Sequence, residues 1–150
     1  MTIRPFETGD LPGVLAVYAA SKLDELRNEG RVPALVPLDH DAERFATFQR
    51  STVFVCGDTS LQGYGACHGR EITGLFVHPE ARGQGLGGRL LAHLLDMHPR
   101  IDRLSVVASN AAAQTLYRRF GFEVVDTWMG RYHDQPVRVE LLHRGGQGPQ

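Results

Sequence analysis

Val77-His78-Pro79-Glu80-Ala81-Arg82-Gly83-Gln84-Gly85-Leu86-Gly87-Gly88-Arg89 is the stretch that decides the fold. The apolar run ITGLFV (72–77) leads into it and reads as a strand, while LGGRLLAHLLDM (86–97) leads out as an amphipathic helix. No acidic residue occurs between Arg82 and Leu95. A helix start ordinarily recruits Asp, Glu, Ser or Thr, because its first N–H groups lack partners and carry the positive end of the dipole. Here glycines and two arginines stand instead, so those donors are left for an outside anion. Gly83, Gly85 and Gly87 let the backbone approach that anion and adopt φ > 0 without a steric penalty. The loop reads as a phosphate cradle.

Working outward, the spacing predicts a short strand at Ile3–Phe6 and a helix from Leu11 to about Arg27. Asp39 is the expected cap of a second short helix that turns Phe45 and Phe48 inward. Three strands follow at Thr52–Cys56, Gln62–His68 and Glu71–Val77, joined by connections short enough for antiparallel hairpins. Beyond the glycine loop, Leu86, Leu90, Leu91, Leu94 and Leu95 form a helical stripe that Pro99 ends. Arg103–Val107 is a strand, and Asn110 caps a helix over Ala111–Phe120 that Gly121 stops. Two strands, Phe122–Asp126 and Val137–Leu142, close the chain. The order is β-α-α-β-β-β-α-β-α-β-β, an α/β fold with a mixed sheet of six to seven strands and helices on both faces. Only the unit at residues 71–107 demands a parallel pair. A single domain is expected over residues 1–144, with a flexible tail at 145–150.

An apolar share of 42% and a formal net charge of -1 suit an ordinary globule and argue against nucleic acid or an anionic membrane as partner. No signal-peptide pattern opens the sequence, so a cytoplasmic protein is expected. Lys22 is the only lysine; the scattered arginines read as compositional bias, with only Arg82, Arg89, Arg118 and Arg119 looking placed. Cys56 and Cys67 fall on neighbouring strands, away from any helix start or basic cluster, and read as buried thiols. His93 and His98 are five residues apart, off a common helix face, and no HExxH or CxxC occurs, so no metal is expected.

Gly83–Gly88 formally matches GxGxxG. A dinucleotide site would need an acid at the end of the next strand, but that strand ends Val107-Ala108-Ser109-Asn110. A P-loop would need Gly-Lys-Ser/Thr, and the one lysine is far away. The runs LFVHPEARGQGLG and ASNAAAQTLYRRFGFEVV together resemble the GNAT superfamily of acetyl-CoA-dependent N-acetyltransferases, most of all its small bacterial members. The first family signature falls on Arg82, Gly85 and Gly87. The second falls on Asn110, Tyr117, Gly121 and Phe122. The resemblance covers about Thr52 to Leu142; the first fifty residues match in element order only.

The resemblance implies a central parallel pair that splays apart to admit the pantetheine arm of acetyl-CoA. Leu75, Phe76 and Val77 would offer main-chain groups to its amides, and Arg82, Gly83, Gln84, Gly85, Leu86, Gly87 and Gly88 would wrap its pyrophosphate. Asn110, a helix cap on its own reading, would add a cofactor contact. Tyr117, otherwise a core aromatic, would protonate the departing thiolate as general acid. The acceptor amine must shed a proton, which for an alkyl amine near pKa 10.4 costs roughly 4–5 kcal/mol at pH 7. Relatives that acetylate protein N-termini carry Glu where Ser105 stands here. Glu71 is the first candidate base instead; His78 is a weaker one. Asp24, Glu25 and Glu29 could attract a cationic amine, with Trp128, Tyr132 and His133 lining its pocket. The implied function is direct acetyl transfer to a primary amine, on a small molecule or a peptide, by a monomer or homodimer. The alternative is a non-catalytic acyl-CoA-binding or sensing module.

Overall fold

The computed structural model describes residues 2–145. Seven strands form one sheet: β1 (Ile3–Pro5), β2 (Thr52–Cys56), β3 (Gly63–His68), β4 (Glu71–Val77), β5 (Arg103–Val107), β6 (Glu123–Tyr132) and β7 (Gln135–His143). Their spatial order is β1-β2-β3-β4-β5-β7-β6, and every neighbouring pair is antiparallel except β4 with β5. Helices cover both faces, as the patterning required. On one side lie α1 (Leu11–Ser21) and α2 (Ala42–Arg50), packed through Val14, Val17, Tyr18 and Phe48 onto Val53, Val55 and Tyr64. On the other, α3 (Leu86–Met97) and α4 (Ala111–Arg119) cover Phe54, Ile72, Leu104 and Val106.

The leucine stripe of α3 explains that second layer. Leu86, Leu90, Leu91, Leu94 and Leu95 are all buried, and burying each such side chain stabilises by roughly 1.5–3 kcal/mol. Gly63 and Gly65 on β3 let α3 come close, since a Cβ there would meet Leu90 at 3.1 Å and Leu94 at 2.9 Å.

Three boundaries differ from expectation. The first helix ends as α-helix at Ser21, whose hydroxyl donates to the Val17 carbonyl at 2.5 Å, and continues through Leu26 as a 3-10 turn. The tighter winding turns both Lys22 and Leu26 inward. The cap of α2 is Asp41, not Asp39: residues 38–40 spend themselves on a single 3-10 turn, and the Asp41 carboxylate accepts the Arg44 N–H at 3.2 Å. The closing hairpin is longer than its apolar pattern, because β6 is an exposed edge strand where burial imposes no alternation. It turns at His133, held at φ 55°. Of the expected tail, only Gly145 lies within the described residues.

The parallel pair positions the site. β4 and β5 are in register only at Glu71↔Arg103 and Ile72↔Leu104. A register shift between Ala66 and Cys67 of β3 leaves Thr73 as an extra residue on β4, and such a bulge bends the strand that carries it. Beyond it β4 stays with β3 as far as Val77, and β5 stays with β7 as far as Val107. The two strands therefore part into a wedge, closed at Glu71 and open at Val77.

Candidate active site

The wedge opens a cleft of about 340 Å³. Leu75, Phe76 and Val77 form one wall, Ser105 and Val106 the other, and Tyr117 of α4 closes the back. Both strand edges present main-chain groups that the sheet leaves unpaired, so an extended amide-bearing chain could add there as a strand.

At the open end sits the glycine loop. Gly83 and Gly85 have φ of 80° and 74°, and a Cβ on either would meet nothing within 4 Å. Only backbone conformation demands glycine there, and the space beside it stays clear. Gly85 is the N-cap of α3, with no side-chain cap and no acid in the first turn. The N–H groups of that turn thus point out with the positive dipole end behind them. Arg82 and Gly87 line the cleft, whereas Leu86 turns its side chain into the core. Arg82 is already engaged: its guanidinium pairs with Asp24 and donates to the Val77 carbonyl at 3.3 Å.

Asn110 accepts the Ala113 N–H at 3.3 Å, caps α4 and lines the cleft. Tyr117 is 8% exposed and packs edge-on against Phe122 at 6.1 Å between centroids. Burial pushes its phenol above the ordinary value, and the Glu25 carboxylate pushes the same way. Glu25 and Tyr117 both line the cleft.

The 3-10 turn after α1 forms the lid of this space, with Lys22, Asp24 and Glu25 lining it. The following segment is tied across the sheet. Asn28 donates to the Ser109 carbonyl at 3.0 Å, Glu29 accepts from the Ser109 hydroxyl, and Gln135 donates to the Arg31 carbonyl at 2.6 Å.

Glu71 does not join this assembly. It is exposed at the closed end of the wedge, among none of the cleft's walls, because the pairing with Arg103 that starts the parallel ladder occupies that end. His78 faces the loop instead, where its Nδ1 accepts the Glu80 N–H at 3.1 Å. The three acids expected to greet an amine are partnered: Asp24 by Arg82, Glu25 by Lys22 at 2.7 Å and Glu29 by Ser109. Tyr132 is buried, His133 pairs with Asp41 at 3.2 Å, and Trp128 stands 42% exposed on the edge strand; none lines the cleft.

Lys22, which the sequence pattern did not mark, also lines the cleft. Its one signal in the sequence is that it is the chain's only lysine, late in the apolar stripe of the first helix. Cys56 and Cys67 are both buried and free, and burial raises both thiols.

Comparison with known proteins gives a consistent result. The family profile described as "Acetyltransferase (GNAT) domain" matches residues 49–124. An L-methionine sulfoximine/L-methionine sulfone acetyltransferase of Pseudomonas aeruginosa is 32% identical over 145 residues, covering 82% of this chain and 80% of that protein. A peptidyl-lysine N-acetyltransferase of Salmonella typhimurium is 34% identical over 62 residues, and the match spans 41% of this chain and 42% of that protein. Among solved structures, yncA of Salmonella typhimurium, determined with its cofactor acetyl-CoA, superposes with a TM-score of 0.71 at 21% identity over 100% of this chain and 97% of that one.

Proposed function

Since this chain belongs to the GNAT superfamily of acetyltransferases, which move acetyl from acetyl-CoA to an amine, we propose that it does so by direct attack within a ternary complex. The observation that carries this reading is the wedge between β4 and β5, with a buried tyrosine at its back and an uncapped helix start at its mouth. Acetyl-CoA supplies an activated thioester. The residues present suit it: two unpaired strand edges for the pantetheine amides, and the cleared space beside Gly83 and Gly85 for the pyrophosphate. Each charge-assisted N–H contact is worth roughly 1.5–3 kcal/mol, so a few such contacts suffice for micromolar affinity.

Glu25 accepts a proton from the acceptor ammonium, baring the nitrogen lone pair. As that nitrogen bonds to the acetyl carbon and the carbon–sulfur bond breaks, Tyr117 donates its phenolic proton to the sulfur; the nitrogen's surplus proton returns the phenolate to phenol, and Glu25 gives up its own proton to solvent. Burial raises the phenol, so it stays protonated at neutral pH until the thiolate departs. Asn110 and Gln114 hold α4 in place: Gln114 donates to the Ala108 carbonyl at 2.9 Å and to Glu140.

A small-molecule amine is the acceptor we favour. The match to the sulfoximine and sulfone acetyltransferase runs over most of both chains, and the tied-down 28–36 segment narrows the acceptor side. We read residues 1–144 as one acetyltransferase domain working in the cytoplasm without nucleic acid or membrane. The near-neutral charge supports the absence of a nucleic-acid partner, and the two free, buried thiols suit a reducing compartment. The test is a calorimetric titration with acetyl-CoA followed by an amine-library screen with free coenzyme A as readout. Binding together with amine-stimulated release is expected. Binding without release for any amine would favour the sensing module, and no binding would reject the site.

A further inference from the structure

The chain's only lysine is buried. Lys22 holds its ammonium 2.7 Å from the Glu25 carboxylate and 5.6 to 5.9 Å from the ring centres of Tyr132, Phe76 and Tyr18. Three aromatic faces and one carboxylate stabilise the charge there. The pair is not sealed in. Lys22 and Glu25 both line the main cleft, and Lys22 also lines a side cavity of about 130 Å³ that shares Thr73, Gly74 and Phe76 with it.

Arg44 and Tyr18 also line this side cavity. Arg44 lies beside it, its guanidinium 2.9 Å from Asp41 and over the Tyr132 ring at 4.9 Å. Tyr18 lines it at 2% exposure, and its hydroxyl finds no hydrogen-bond partner among the described residues. A buried hydroxyl left alone is rare in a folded protein and marks a place where something else supplies the partner. The remaining lining is uncharged, with Leu38, Phe48 and Ala66 beside Thr47, Thr73 and Tyr64.

We infer that the side cavity is the carboxylate subsite for a free, neutral α-amino acid, with Lys22 and the Tyr18 hydroxyl holding the carboxylate while Glu25 faces the ammonium. This rests on the acetyl-transfer reading above and names its acceptor class. An amino-acid zwitterion carries the same two charges as the Lys22–Glu25 pair in complementary order. On entering it replaces one ion pair with two, leaves no buried charge alone and gives Tyr18 its missing acceptor. A polyamine would set a second cation against Lys22. An amino-acid amide, or the N-terminus of a peptide, would leave Lys22 and Tyr18 without the anion they frame. Arg44 adds a further positive field, and the uncharged remainder suits an uncharged side chain.

The test uses the full chain with acetyl-CoA, the neutral L-amino acids and their primary carboxamides, read by coenzyme A release. A calorimetric titration of each acceptor in the presence of coenzyme A is the second readout. At least one free acid should be bound and acetylated with kcat/KM roughly 100-fold or more above its carboxamide, since a site built for a polar group rejects the analogue lacking it. Lys22→Met, which keeps the stem's packing, should raise Kd for that acid by roughly tenfold or more and bring the acid-to-carboxamide ratio of kcat/KM down toward one. Tyr18→Phe should do the same to a smaller degree. Carboxamides that match the acids, or no acid binding while acetyl-CoA binds, would overturn the inference and leave acetyl transfer standing. Failure of acetyl-CoA to bind would take down both readings. The acid-to-amide ratio of the unaltered protein decides the matter even where a variant does not fold.

Discussion

The two ends of the cleft are built differently, and on the proposed function they recognise their ligands by different means. At the glycine loop, recognition belongs to the backbone: uncapped N–H groups at the start of α3, two residues at positive φ and a pair of unzipped strand edges. Side chains there mainly stay out of the way. On the opposite side, under the 3-10 turn, recognition belongs to side chains already paired with one another, Lys22 with Glu25 and Arg44 with Asp41. Backbone recognition suits a ligand whose diphosphate and amides never vary. Paired side chains suit a ligand that must be told from its neighbours, because a stranger leaves a buried charge without its partner. Arg82 joins the two ends, since it belongs to the loop and bonds Asp24 of the 3-10 turn.

The largest effect should come from the group between the two ends. Tyr117→Phe removes the proton donor while keeping the ring against Phe122. Its kcat should fall by roughly 10²–10⁴ with the acetyl-CoA dissociation constant unchanged, measured by coenzyme A release and calorimetry. Full turnover would make the phenol structural. Next in size is the loop. Gly85→Asp sets a carboxylate where the anion belongs and a side chain at φ 74°, and should weaken acetyl-CoA binding by about 100-fold or more. Gly85→Asn, whose side chain tolerates the left-handed region, should lose far less. Equal losses would mean that strain, and not charge, governs the loop.

The same contrast decides what could be read in advance. The loop, the leucine stripe of α3, the strand at Arg103–Val107 and the Asn110 cap were legible, because each rests on a local rule: glycine at positive φ, 3.6-residue periodicity, a capping side chain. The acceptor side was not. Lys22 and Glu25 meet across a single 3-10 turn, but their value comes from Tyr132, 110 residues further on than Lys22, whose ring lies 5.6 Å from the ammonium. Glu71 looked plausible along the strand and proves to stand at the wedge's closed end, a fact set by strand register. Asp39 reads as the cap of the second helix, but residues 38–40 form a 3-10 turn that moves the helix start on, and Asp41 caps it.

Two smaller effects probe the link between the ends and the rigidity of the acceptor side. Asp24→Asn releases Arg82 from its carboxylate, freeing it for the pyrophosphate. Both partners of that pair are more than a third exposed, so the gain should be modest. Acetyl-CoA should bind about two- to fivefold tighter by calorimetry, in line with the small worth of an exposed ion pair. Weaker binding would show that the bridge helps to shape the loop.

The smallest concerns Asp41→Ala, which removes the cap of α2 together with the partner of Arg44 and His133. Losing a cap costs about 0.5–2 kcal/mol, a fall in Tm of roughly 1–8 °C for a chain of this size. Burial pushes the Asp41 carboxyl up, but hydrogen bonds from Arg44, with charge from Arg44 and His133, outweigh it and hold the group below its ordinary value. A carboxyl depressed in the folded state adds stability above its unfolded pKa and gives it up as pH falls through the folded one. The Tm gap between the two proteins should therefore be widest near neutral pH and shrink once the pH drops below the usual carboxylate range. A gap that persists there would assign Asp41's contribution to packing alone and leave Arg44 free of it, making the acceptor side less interlocked than the loop is bare.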